Sequence, residues 1–410
     1  MFFAPSSRHA VALALLALTG CASVPHMSPS AAIAPPDHYA AGQSLAAVAP
    51  AAWPGSDWWV GYGDPQLDTL ISEALAGSPD VASALARVRR ADALAQQAGA
   101  ARLPTLDMSA SVSAAKQSYN NGIPAAFVPK GWNESGNVHA TLGFDLDLWG
   151  RNRAAFAAAR SDAEAAQLDY EQAALLLSTS IADAYADLAR LFAERAVQQT
   201  ALTVREQTLA LVSDRVASGL DTQAELKQAS AAVPAARSDL AATDEQIGLT
   251  RNRVAALLGA GPDRGLTIDA PAVTIVPRGI PADVTTDLVG RRPDIAAARA
   301  RVEAEASRIK VARAGFYPAI SLGGILGFQS LGLPNLFKSG SDYGSVGPAI
   351  SLPIFRGGAL EGQYRGARAS YDEAVANYDR TVTDAYRAVA DVVVSQRALA
   401  TQLDQSRVSL

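Results

Sequence analysis

Pro79-Asp80-Val81 opens a stretch that returns as Pro293-Asp294-Ile295. Ala86-Arg87-Val88 returns as Ala300-Arg301-Val302, and Leu103-Pro104-Thr105-Leu106 returns as Tyr317-Pro318-Ala319-Ile320. Each pair lies 214 positions apart (293 less 79), so no insertion falls within the stretch. Further on the spacing becomes 208 (367 less 159): Ala159-Arg160 pairs with Ala367-Arg368, Tyr170 with Tyr378, and Ala182-Asp183 with Ala390-Asp391. A long-period duplication that switches from helical to strand patterning at the same place constrains architecture strongly. It predicts two equivalent structural units, each a long helix running into a two-stranded hairpin.

The switch falls at Pro104. Beyond it Leu106, Met108, Ala110, Val112 and Ala114 alternate with Thr105, Asp107, Ser109, Ser111 and Ser113. The returning strand sets Val138, Ala140, Leu142, Phe144, Leu146 and Leu148 against His139, Thr141, Gly143, Asp145 and Asp147. Period two with one apolar and one polar face means a half-buried strand. The second unit repeats this less cleanly, with Ile320, Leu322, Leu326 and Phe328, then Val346, Ile350, Leu352 and Ile354, on its apolar side; the last two are expected to extend the strand. Each strand is about ten residues, the length of a tilted transmembrane β-strand. A soluble sandwich also alternates, but four strands offer little sheet to close a core. Four strands cannot close a membrane barrel either, since known ones start at about eight. Three chains giving four strands each reach twelve and leave no edge open to lipid. Leu106, Met108, Leu142, Phe144 and Leu146 are then the lipid-facing residues.

Between the hairpins, Arg151 to Ser218 holds neither proline nor glycine, which at 1.5 Å per residue predicts a helix of roughly 100 Å. Ile181, Leu188, Leu202, Leu209 and Val216 share one heptad track, interrupted by Arg195. Tyr185 and Phe192 complete a coiled-coil-like seam. Ser218-Gly219-Leu220-Asp221-Thr222 breaks the helix and offers a new cap at Asp221 or Thr222. The next helix carries Leu226, Val233, Leu240, Ile247 and Val254, seven apart, with smaller residues three further on.

Alanine dominates a composition that is 49% hydrophobic and only 6% aromatic, which favours long, closely packed helices over a bulky globular core. The net charge of -5 and the lack of a Lys/Arg block exclude a nucleic-acid surface. The single cysteine, Cys21, follows Arg8, the apolar run Ala10 to Leu18, and Thr19-Gly20. This is a charged start, a short apolar core and small residues before a cleavage site. The run is too short for a bilayer, which needs roughly 20 residues. Residues 1–20 therefore read as a signal peptide. Residues 21–60, rich in Ala, Pro and Ser, read as an extended tether. Its end carries Trp53, Trp58 and Trp59, read as a packing cluster or a membrane-interface anchor. Residues 61–259 are expected to form the first repeat with a hairpin at 104–149. A crossover linker follows at 260–292, and the second repeat at 293–410 with a hairpin at 318–355.

Leu18-Thr19-Gly20-Cys21 resembles a bacterial lipobox, which implies a lipid such as palmitate on Cys21, and Ala22 fits outer-membrane sorting. More widely the chain resembles the outer-membrane efflux protein family, the TolC-like channels, in their lipid-anchored OprM/NodT-type branch. The carriers are Trp58-Trp59 with Tyr62-Gly63-Asp64-Pro65-Gln66-Leu67, the run Phe144 to Arg151, Leu288 with Arg291-Arg292-Pro293-Asp294-Ile295, and Leu352-Pro353-Ile354-Phe355. The resemblance implies a mainly helical fold with transmembrane β-strands: a homotrimer with a twelve-stranded outer-membrane barrel on a long α-helical periplasmic tube. It implies the exit duct of a tripartite efflux system, docked on a periplasmic adaptor protein and driven by an inner-membrane, proton-coupled transporter. Ser218, Gly219 and Leu220 match the adaptor-docking helix tip. Glu225 falls where such channels place an acidic ring at the periplasmic aperture; a solvated charge beside a turn is the plainer alternative.

One departure stands out. Asp183 and Leu258 are 75 positions apart, whereas Asp391 is 19 from Leu410, so about 56 residues of the second helical hairpin have no counterpart. That predicts an exposed apolar stripe at Val389, Val392, Leu399 and Leu403, and opens an alternative: a truncated, non-conducting lipoprotein with a structural role. No catalytic constellation is evident. The four histidines show no metal-ligand spacing, and there is no phosphate-binding loop or nucleophile elbow. The sequence therefore points to a conduit that needs no cofactor beyond the lipid, not to an enzyme.

Overall fold

A computed structural model of the chain describes residues 24–35, 38–39, 43–44, 50–274, 280–281 and 290–409. Cys21, the signal-peptide residues and Leu288 lie outside these. Six principal helices and four principal strands run in the order α1 (Pro65–Gly77), α2 (Pro79–Ala100), β1 (Thr105–Ala115), β2 (Asn133–Asp145), α3 (Arg151–Ala217), α4 (Gln223–Leu257), α5 (Pro293–Ala314), β3 (Ala319–Leu331), β4 (Asp342–Ser351) and α6 (Ala359–Val408). Helices α2 and α5 are both 22 residues long and begin 214 apart (293 less 79). Helices α3 and α6 begin 208 apart (359 less 151). Proline sits at the first position of α2 and of α5, where its missing N–H costs nothing.

The compact units are not the two repeats. One takes Met1–Ala34, Arg89–Ala165 and Ala297–Thr381; the other takes Pro35–Val88, Ala166–Ala296 and Val382–Leu410. Each therefore draws on both halves of the chain. The reason lies in the sheet: a lone two-stranded hairpin is marginal in water, and here β2 of the first repeat pairs antiparallel with β3 of the second, from Ser135 opposite Leu331 to Asp145 opposite Ser321. The result is one antiparallel sheet in the order β1-β2-β3-β4. Leu106 faces Leu142, Leu142 faces Gly324 and Gly324 faces Val346, so the apolar parities of all four strands fall on one face. The other face carries Thr141 opposite Asp107, and a cluster in which Asn137 Oδ1 lies 2.7 Å from His139 Nδ1 and accepts from the Tyr343 hydroxyl at 3.2 Å. Gly327 stands opposite His139, and a Cβ there would overlap Val138 and His139. Only glycine lets the two strands approach this closely.

The other unit is held by helix packing. Leu67, Leu70, Ile71 and Ala74 form one buried stripe of α1 and meet Ile181, Tyr185 and Leu188 of α3 and Val254 of α4. The heptad tracks are the buried or half-buried faces of both long helices, from Leu202 and Val216 to Leu226 and Val233. Arg195 interrupts the α3 track because it reaches Asp244 of α4 at 2.5 Å. At the start of α1, buried Asp64 accepts hydrogen bonds from the Tyr185 hydroxyl (2.7 Å), the Ala272 N–H (2.8 Å) and the Gln66 N–H (3.0 Å). Burial alone would raise its pKa; the three donors outweigh that and hold it below the usual carboxylate range. Burial pushes the Tyr185 phenol up.

The described residues of two segments read as plain connectors make specific contacts. Within 260–292, Ile268 is fully buried, Arg264 grips Glu73 at 2.8 Å, and Ile280–Pro281 pairs in parallel with Pro50–Ala51. Within the tether, the Ala31 N–H donates to Asp372 at 2.8 Å, the Ala34 N–H to Asp379 at 3.2 Å, and Arg368 donates to the Ser28 carbonyl. An extended Ala/Pro/Ser backbone leaves its polar groups free, and three polar side chains along α6 satisfy them. Trp58 packs edge-on to Trp59 with ring centres 5.9 Å apart, and Trp59 lies against the helical core, so these two form a packing cluster.

Candidate functional site

Three places hold the residues that the sequence singled out. The first is the apolar sheet face. Leu106 is 73% exposed, Met108 79%, Leu326 71%, Val346 78% and Ile350 69%, an apolar surface of the kind that soluble proteins bury. Leu142 and Phe144 share it, in β2. Leu146 does not lie in the strand: β2 ends at Asp145, although the Leu146 N–H still donates to the Ile320 carbonyl at 3.0 Å. The strand stops because Asp147 turns into the left-handed region at φ 46°, the one non-glycine residue to do so among those described.

That turn is the second place, the joint between β2 and α3. Asp145 accepts the Asp147 N–H at 2.9 Å. Asp147 in turn accepts the N–H groups of Asn152 and Arg153, both at 2.9 Å, in the first turn of α3. These are donors that a helix start leaves unpaired. The alternation thus ends in a helix cap, which explains the two aspartates without any chemistry of their own. Trp149 stacks on Tyr317 with ring centres 4.7 Å apart and donates its indole N–H to the Pro318 carbonyl at 2.8 Å. Nothing in the sequence marked these two as a pair; Trp149 follows the run Val138 to Leu148, whereas Tyr317 precedes β3.

The third place is the turn between α3 and α4, which brings Ser218, Gly219, Leu220 and Glu225 together. The Leu220 N–H donates to the Arg215 carbonyl at 2.8 Å and the Gly219 N–H to the Val216 carbonyl at 3.0 Å, with Gly219 at φ 75°. This is a Schellman ending, and glycine is required at the left-handed position. Leu220 is left exposed. Of the two candidate caps, Thr222 caps α4: its hydroxyl accepts the Glu225 N–H, and its own N–H donates to the Glu225 carboxylate at 2.6 Å. Asp221 instead holds both arms of the Arg215 guanidinium, at 2.7 and 2.9 Å, and this hydrogen-bonded pairing lowers its pKa. Glu225 is therefore half of a capping box. One of its oxygens is occupied by Thr222; the carboxylate is exposed and retains its second oxygen. Among the described residues no group of His, Cys, Asp and Glu has the arrangement of a metal site.

Comparison with known proteins bears on the family and the fold. The signature of the outer membrane efflux protein family matches residues 70–260 and 285–408. The fusaric acid resistance protein FusA of Burkholderia cepacia is 35% identical over 375 residues, covering 89% of this chain and 70% of that one. The pyoverdine export outer membrane protein OpmQ of Pseudomonas putida is 33% identical over 369 residues, 89% of this chain and 77% of its own. Among solved structures, the outer membrane protein VceC of Vibrio cholerae superposes with a TM-score of 0.82 at 43% identity, covering 87% of this chain and 84% of that one. The outer-membrane channel OprN gives a TM-score of 0.82 at 27% identity, with 94% and 86% covered.

Proposed function

The chain belongs to the outer membrane efflux protein family, and from that premise we propose that it is the outer-membrane exit duct of a tripartite efflux system. In this reading it forms a homotrimer, docks on a periplasmic adaptor protein and works with an inner-membrane transporter. The observation that carries the reading is the sheet: four strands with an exposed apolar face and, among the described residues, two uncovered edges. An open sheet edge is not tolerated in lipid, and three such sheets joined edge to edge remove every edge. The same strands lead directly into a helix of 67 residues, long enough to reach well beyond a bilayer. Lipid on Cys21 would add an anchor in the same membrane.

In this arrangement Ser218, Gly219 and Leu220 form the adaptor-docking tip, and three copies of Glu225 ring the aperture. Crowded carboxylates in a narrow opening favour cations and resist anions. The names of the two relatives, which refer to fusaric acid and pyoverdine, support small organic molecules as the cargo class. Val392 (59% exposed), Leu399 (62%) and Leu403 (53%) make an apolar stripe along α6 that neighbouring helices of a tube would cover; Val389 is half-buried. A non-conducting structural role is the rival, and that uncovered stripe is what favours it. Planar-bilayer recordings separate the two. The purified protein should give discrete conductance steps, and a channel-deleted strain carrying it should regain drug tolerance. Membrane-inserted trimers without conductance would leave only the structural role.

A further inference from the structure

A cavity of about 570 Å³ lies where the strands stop and the helices begin. The ends of β2, β3 and β4, the last turn of α5 and the first turns of α3 and α6 line it, all within one compact unit. Leu148 and Ile320 carry the apolar character of the sheet to its wall, and the stacked Trp149–Tyr317 pair borders it. Arg151, Arg308 and Arg356 supply cations, and Asp145 and Asp147 supply acids.

The acids are already occupied. Asp145 binds the Asp147 N–H and Asn152, while Asp147 binds the first turn of α3 and the Arg153 guanidinium. Arg308 is paired with Asp162 and Glu305. Among the described residues, Arg151 and Arg356 have no such partner for their guanidinium groups. Arg151 is also the first residue of α3, where the helix dipole disfavours a cation, so its charge does not serve the helix. The cavity thus presents two uncommitted positive charges to whatever enters it.

What surrounds those charges narrows the ligand. Both returning strands are followed by the same order of chemistry: Leu148-Trp149-Gly150-Arg151 after β2 and Ile354-Phe355-Arg356 after β4. Leu148, Trp149, Ile354 and Phe355 are all exposed. Aromatic residues concentrate at membrane–water boundaries, and arginines there reach lipid phosphates. A free anion would gain nothing from the apolar rim, whereas an acylated one uses both parts. We propose that this cavity is a binding site for the phosphate-bearing headgroup of a membrane lipid, held by Arg151 and Arg356 with its acyl chains against the apolar sheet face. The proposal rests on the sheet lying in the outer membrane.

The test uses the full chain, purified in a phosphate-free detergent and offered phosphatidylglycerol, diacylglycerol of equal chain length, or inorganic phosphate, with bound species counted by native mass spectrometry. Phosphatidylglycerol should be retained. The Arg151→Gln/Arg356→Gln variant should hold it about 30-fold more weakly, the combined effect of two basic groups at an anionic surface. Arg151→Lys/Arg356→Lys should keep most of the binding. Equal retention by wild type and the Gln variant would overturn the proposal, as would displacement of the lipid by millimolar inorganic phosphate, which marks a free-anion site. Membrane fractionation of both proteins is the separate check: wild type absent from the outer membrane would bring down the underlying reading and this site with it. Wild type and the Gln variant both present there with equal lipid retention would bring down the site alone.

Discussion

The two compact units use apolar side chains in opposite ways. In the helical unit Leu67, Leu70, Ile71, Tyr185 and Leu188 are almost completely buried. In the strand unit several apolar residues of the sheet, Met108, Leu106, Leu326 and Val346, are among the most exposed in the chain. The same physics produces both: apolar surface leaves water. The helices remove it by packing on one another. Beyond the 333–337 segment, which packs on Gly136 and Phe328 at one end, the apolar face has no layer over it among the described residues, so removal falls to another solvent, the bilayer hydrocarbon. Substitution should therefore have opposite rules in the two units.

The largest test of that contrast is in the helical core. Leu70→Ala should cost about 2–5 kcal/mol through lost contacts and a cavity, read as a lower midpoint of helix unfolding by circular dichroism. Leu142→Ala on the sheet should leave that midpoint unchanged. A matching loss at Leu142 would show that the apolar face is covered by protein. Charge reverses the comparison. Leu142→Arg should cost about 2–4 kcal/mol near the bilayer middle, seen as loss of the folded, membrane-inserted form, while Thr141→Arg on the polar face should insert almost normally. Equal damage from both would remove the face assignment.

Asp64 gives a medium effect and a pH signature. Asp64→Asn removes a charged acceptor from three donors, one buried and two partly buried, and should cost about 1–3 kcal/mol at neutral pH. Its folded pKa lies below the unfolded value, so its contribution is complete above the unfolded pKa and is lost as pH falls through the folded one. The gap in stability between wild type and Asp64→Asn should thus narrow as pH falls through the carboxylate range. A gap that is constant down to the lowest pH of the titration would mean that the charge of Asp64 contributes nothing. The smallest effect belongs at the helix turn. Thr222→Ala should cost about 1 kcal/mol by removing the cap, and Glu225→Gln less, since an amide still accepts from the Thr222 N–H. If three Glu225 side chains ring an aperture, Glu225→Gln should shift cation preference in bilayer recordings with almost no change in stability. Unchanged selectivity would leave Glu225 as a cap alone.

Legibility in the sequence followed the range of each interaction. The starts of α2 and α5, the parity of every strand and the buried tracks of α3 and α4 depend on residues within a turn or two of each other, and all were readable. Where β2 stops was not, because Asp147 leaves the extended region in order to cap a helix, an event that alternation does not encode. Between Asp221 and Thr222 the sequence left the cap open; Arg215, one turn back along α3, took the aspartate and settled it.

By itself the sequence determined the repeated helix–hairpin order, the inward and outward faces of the strands and the seams of the long helices, because periodicity and proline or glycine punctuation act locally. Tertiary structure alone decided that β2 pairs with β3 across the repeats, that the compact units cut through both repeats, and that the described parts of the crossover and the tether make specific contacts. Those outcomes depend on which unsatisfied backbone or apolar surface lies nearby in space, and the order of the chain does not record which distant segments will meet.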